Sequence, residues 1–200
     1  MSCYMKLVTW IGWLVLCGAW SASALHAQEL TLPDGGSTEP YHPGLVSFRV
    51  GIYFYDQGDY ERALQEFTIT TEGLPNWGIG FAARGDTYAA LGQYALAIAD
   101  YDRAISLYPD YVSALYTRGR AYQTLGNLER AAADYTNAIS QMPTYALPYW
   151  GLADALLAQG NVTSALTNYH LYVSLSEDAP NAMVLAQIEQ LQLVVAMDVL

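Results

Sequence analysis

Lysine is almost absent from this sequence: Lys6 is the only one in 200 residues, and arginine supplies all other side-chain cations. With 19 acidic residues against 8 basic ones, the formal net charge is -11. Nucleic-acid binding rewards clustered cations along the phosphate backbone. The balance here excludes nucleic acid as a partner class and disfavours an anionic membrane surface. Cysteine is just as scarce. Cys3 and Cys17 both fall near the N-terminus, so the rest of the chain can form neither a disulfide nor a cysteine zinc site. Histidine is limited to His26, His42 and His170. There is no H-E-x-x-H, no base beside a candidate nucleophile and no Gly-rich phosphate loop. The sequence therefore predicts no catalytic residue, no metal site and no cofactor. Lone His170 reads as a surface or packing residue, because metal ligands cluster.

Long apolar runs are also missing. The one uncharged stretch at the start, Leu7 to Trp20, spans 14 residues, fewer than the ~20 of a membrane-spanning helix. It follows the positive Lys6 and precedes Ser21-Ala22-Ser23-Ala24, the order of a secretory signal with its cleavage site. Residues 1–24 are read as that signal, with Ala27 as a second choice of cleavage point; retention as an N-terminal anchor is the weaker alternative. Leu25 to Pro43 is rich in Pro, Gly, Ser and Thr without sustained periodicity, and reads as a flexible linker. The expected location is extracytoplasmic, either secreted or periplasmic. Asn161-Val162-Thr163 would accept a glycan only on a eukaryotic secretory route.

What the sequence has in abundance is repetition. Arg84-Gly85 recurs 34 residues later as Arg118-Gly119, and the same shift takes Tyr88 to Tyr122, Gly92 to Gly126 and Ala97 to Ala131. Tyr101 maps to Tyr135, Ala104 to Ala138 and Pro109 to Pro143, with no insertion. Within Gly78 to Tyr111, Phe81, Gly85, Tyr88 and Leu91 mark one helical face. Gly92 ends that helix by entering the left-handed region cheaply. A second helix is predicted from about Tyr94 to Leu107, closed off by Pro109. Asp59, Asn127 and Asn161 follow the equivalent turn glycines, where they can cap the second helices. Small residues fill one column of the first helix (Gly51, Gly85, Gly119, Ala153) and one of the second (Ala63, Ala97, Ala131, Ala165). Tyr101, Tyr135 and Tyr169 fill the adjoining space. Arg84 and Arg118 form one polar column, and Glu66, Asp100 and Asp134 another. Ion pairs within a unit would join Arg84 to Asp100 and Arg118 to Asp134. Pairs between units would join Glu66 to Arg84 and Asp100 to Arg118, and the spacing admits both.

These columns resemble the tetratricopeptide repeat. Gly78–Tyr111 and Val112–Tyr145 meet its pattern nearly in full. Gly44–Trp77 and Ala146–Ala179 depart from it at Thr70, Tyr172 and Glu177, with Pro180 arriving late. The resemblance implies an all-α, right-handed superhelical solenoid of four units, 44–77, 78–111, 112–145 and 146–179. Residues 180–200, chiefly Asn181 to Met197, would form a C-terminal capping helix whose apolar composition suits contact between copies of the chain.

Arrays of this family are similar in presenting a concave groove lined by the first helices. Positions not needed for packing within a pair are the candidate lining. In the first unit these are Phe48, Ile52 and Tyr55, and in the second Asp86 with Ala82 and Ala89. The third contributes Tyr116, Arg120 and Gln123, and the fourth Trp150, Asp154 and Leu157. Members that grip a C-terminal carboxylate use several Lys and Asn residues, whereas Arg120 and Arg49 are the only cations available here. The expected role is an exported, non-catalytic scaffold that binds a protein or peptide, apolar or basic. The alternative is an accessory subunit holding a glycan or other small ligand against the aromatics. Arg84-Gly85-Asp86 spells the adhesion tripeptide read by integrins, but it falls inside a predicted helix, with only Asp86 facing the groove.

Overall fold

The computed structural model describes residues 42–176 and 181–197. The expected signal, most of the linker, and the departures at Glu177 and Pro180 lie outside the described residues. Among those described there are nine helices and no strand. In chain order they are α1 (Pro43–Asp56), α2 (Tyr60–Gly73), α3 (Gly78–Ala90), α4 (Tyr94–Leu107), α5 (Val112–Thr124), α6 (Leu128–Gln141), α7 (Ala146–Ala158), α8 (Val162–Leu175) and α9 (Ala182–Met197). The first eight form four pairs in an all-α tetratricopeptide-type solenoid, and α9 packs on α8 at the C-terminal end. Nothing in α1–α9 is long and apolar enough to cross a membrane.

The punctuation is chemical. Gly58, Gly92, Gly126 and Gly160 turn each pair at φ of 74°, 73°, 78° and 82°, a region that penalises every residue carrying a Cβ. Asp59 and Asn127 cap α2 and α6 by accepting from the backbone N–H of Arg62 and Arg130. Asn161 makes no such bond, and α8 begins without a side-chain cap. At the start of the array, helix α1 opens at Pro43, the last residue of the expected linker. The His42 ring Nδ1 accepts from the Gly44 N–H, and Pro43 takes the first turn, where its missing donor costs nothing.

Each pair closes on a small residue facing a ring. A Cβ added at Gly51 would stand 2.7 Å from Phe67, at Gly85 2.8 Å from Tyr101, and at Gly119 2.7 Å from Tyr135. The facing alanines, Ala63, Ala97, Ala131 and Ala165, are fully buried. Thr70 stands where the next two units have Ala104 and Ala138. Its buried hydroxyl donates to the carbonyls of Gly44 and Glu66, so its polar atom is satisfied.

The ion pairs form within units. Arg84 Nε and Nη2 donate to Asp100 at 2.8 Å each, and Arg118 Nε and Nη2 donate to Asp134 at 2.8 and 2.7 Å. The between-unit pairs to Glu66 and Asp100 do not form. Other groups bridge the units instead: Arg84 Nη1 donates to the Thr71 hydroxyl at 2.7 Å, and Arg118 Nη1 to Asp102 at 2.6 Å. Arg84-Gly85-Asp86 is thereby absorbed into α3. Arg84 is held by Asp100, Gly85 lies against Tyr101, and Asp86 accepts from the Tyr101 hydroxyl.

Candidate functional site

Helices α1, α3, α5 and α7 touch one another in sequence along the array, so their free faces form one continuous inner surface. Two cavities open on it. The smaller, ≈ 220 Å³, is lined by Tyr55, Asp86, Ala89, Tyr94, Tyr101, Thr117 and Arg120, among others. The larger, ≈ 530 Å³, is lined by Tyr116, Arg120, Gln123, Thr124, Tyr135, Trp150, Gly151 and Asp154. Arg120 and Thr124 border both.

Seven of the expected lining residues are therefore brought together: Tyr55, Asp86, Tyr116, Arg120, Gln123, Trp150 and Asp154. Three are not. Phe48 is only 4% exposed, with ring centroids 4.6 Å from Trp77 and 5.7 Å from Phe67, and belongs to the core. Ile52 packs on that same core, and Leu157 packs on the core formed with α8 and α9. Ala82, at the Phe48 position one unit later, is also buried. For Phe48 the cause is Trp77, the residue just before the next first helix, which packs over its ring. The counterpart Tyr145 meets the Tyr116 ring edge-on at 5.7 Å and leaves Tyr116 lining the larger cavity.

Sequence reasoning missed Tyr94, Tyr101, Tyr135, Thr117 and Thr124 as lining residues. The repeat columns assign Tyr101 and Tyr135 wholly to packing, yet a tyrosine is long enough to fill the helix-pair contact with its ring and still present its hydroxyl to the groove. The available signal was chemical: the same column begins with Phe67, and phenylalanine would suffice for packing alone.

Those hydroxyls organise the groove charges. Tyr101 donates to Asp86 Oδ1 at 2.7 Å, and Tyr169 donates to Asp154 Oδ1 at 2.5 Å. Arg120 occupies the corresponding place between them. A guanidinium accepts nothing, so Tyr135 turns to Gln123 Oε1 at 2.7 Å. Arg120 is exposed and makes no ion pair among the described residues. Its guanidinium lies 5.9 Å from the Tyr116 ring centre.

Burial raises the Tyr55 hydroxyl to about 12, assisted by Asp86. Burial likewise raises Tyr101, Tyr116, Tyr135 and Tyr145, while Arg120 pulls the last three partway back. Desolvation raises the Asp154 carboxyl, and hydrogen bonds from Tyr169 and Trp150 oppose it. The arrangement can place a guanidinium and two carboxylates against a ligand between aromatic walls. Among the described residues, no group of three His, Cys, Asp or Glu is placed to hold a metal ion.

A family model described as "TPR repeat" matches residues 85–126, and one described as "Tetratricopeptide repeat" matches residues 116–180. Among solved structures, MamA from Desulfovibrio magneticus RS-1 is similar with a TM-score of 0.69 at 16% identity, over 76% of this chain and 85% of that one. YrrB, described as a TPR protein with an unusual peptide-binding site, gives 0.65 at 18% identity, over 74% and 75%. The first TPR of Spaghetti (RPAP3), bound to the HSP90 peptide SRMEEVD, gives 0.58 at 26% identity, over 58% and 93%. No curated protein matches the sequence significantly.

Proposed function

The chain is a tetratricopeptide-repeat protein, and from that premise we propose that it is an exported, non-catalytic scaffold holding a peptide segment of a partner protein in this groove. The observation that carries the proposal is the pair of aromatic-walled cavities meeting at Arg120 and Thr124. Tyrosine and tryptophan give a large contact area for few rotatable bonds, which concentrates binding energy in a few residues. The relatives solved with a bound peptide or a named peptide-binding site support the same use of the fold. The peptide SRMEEVD bound by RPAP3 is acidic. Here Asp86 and Asp154 flank a single guanidinium, so an apolar or basic segment suits the groove better than an acidic tail. Export rests on the N-terminal sequence and gives a secreted or periplasmic location.

Affinity capture with the exported form should recover a protein, and changing both Tyr116 and Trp150 to Ala should abolish the capture while circular dichroism stays helical. Recovery of glycans alone would overturn the scaffold reading. It would favour the second one, in which the ≈ 530 Å³ cavity stacks a sugar on Tyr116 and Trp150. Contact between copies through α9 is a separate part of the proposal, supported by the exposure of Met183, Leu193 and Met197. Light scattering that finds a monomer at high concentration removes it.

A further inference from the structure

One column of the groove changes sign along the array. At one residue per unit over the last three units, it reads Asp86, Arg120, Asp154, the first unit having the core-packed Ile52 in this place. The two carboxylates are steered by the Tyr101 and Tyr169 hydroxyls, and both line the cavities that meet at Arg120. The guanidinium between them lacks an ion-pair partner among the described residues. A ligand lying along the array therefore meets negative, positive and negative charge in turn.

The spacing selects a backbone. First helices of neighbouring units are in contact, and packed helices lie about 8–10 Å apart. A polyproline II segment has three residues per turn and rises ~3.1 Å per residue, so every third side chain returns to one face after about 9 Å. A β-strand returns every second residue, after roughly 6.5 Å, and falls out of step. Aromatic-walled grooves are also the surfaces on which polyproline II segments dock.

Resting on the groove reading above, we propose that the ligand is a polyproline II segment with charges three residues apart: a basic residue on Asp86, an acidic one on Arg120 and a basic one on Asp154. The pattern is symmetric in charge, so it does not depend on chain direction. The aliphatic stems and intervening residues lie against Tyr55, Tyr116 and Trp150.

The test uses two end-capped, fluorescently labelled peptides of identical composition, read by anisotropy against the full chain at low ionic strength. Lys-Pro-Leu-Glu-Pro-Leu-Lys should bind about tenfold or more tightly than Lys-Pro-Leu-Lys-Pro-Leu-Glu, because the isomer sets like charges on Arg120 and on one aspartate. Exposed ion pairs are screened by salt, so the gap should close at high ionic strength. Arg120→Glu, a change at an exposed site, should shift the preference to Lys-Pro-Leu-Lys-Pro-Leu-Lys. Equal binding of the two isomers overturns the charge order and leaves the groove reading standing. If neither isomer binds a chain that circular dichroism shows to be folded, both readings fall.

Discussion

Tyr135 lies between two glycines: a Cβ added at Gly119 would stand 2.7 Å from its ring, and one added at Gly151 2.5 Å from it. Gly119→Ala should therefore cost about 1–3 kcal/mol, the usual penalty for overfilling a packed contact, seen as a lower urea midpoint with an unchanged slope. Charge behaves differently at neighbouring aspartates. Asp134 is buried against Arg118, so Asp134→Asn should cost about 2–3 kcal/mol by leaving a guanidinium under-paired. Asp102→Asn, at a side chain 51% exposed, should cost under about 1 kcal/mol. The Arg84 and Arg118 columns were legible in the sequence, but their register was not. A residue 16 positions ahead and one 18 positions behind share a column, and only three-dimensional packing chooses between them. Asp102 was invisible because it lies on an exposed face outside the repeat columns.

At the scale of the helix, caps and unit boundaries decide what faces outward. Asp59→Ala removes the α2 cap, and roughly 1 kcal/mol of stability should go with it; chemical denaturation measures this directly. In α9, Ile188 is 6% exposed and Met183 71% exposed. Ile188→Ala should cost about 2–4 kcal/mol, while Met183→Gln should leave the unfolding midpoint within about 0.5 kcal/mol. Helix positions, turn glycines and close-contact columns were all legible, because the 34-residue period repeats the same packing problem. Phe48 was misplaced for a boundary reason. Its burial depends on Trp77, which precedes the next unit's first helix and whose counterparts Tyr111 and Tyr145 did not figure in the helical periodicity. The groove role of Tyr101 and Tyr135 was hidden because one side chain serves two surfaces.

Over the whole array, stability is a sum of contacts between neighbours, and the tyrosines tie that sum to pH. Burial raises Tyr55, Tyr101, Tyr135, Tyr145 and Tyr169. In the unfolded chain these groups ionise near pH ~10, so above that pH the unfolded state releases protons that the folded state retains. The stability they contribute is whole below about pH 10 and is lost as pH rises towards the folded values. Thermal midpoints between pH 8 and 11 should fall steeply at the alkaline end, and Tyr101→Phe should flatten the fall. The central claim, however, concerns where a partner binds. A photo-crosslinking residue placed at Thr124, between the two cavities, can be compared with one at Ala133, which lines a hollow on the other face of α7. Adducts from Thr124 and none from Ala133, lost on Arg120→Glu, are the predicted result. Adducts from Ala133 alone, or equal yield from both positions, would contradict a partner held in the groove.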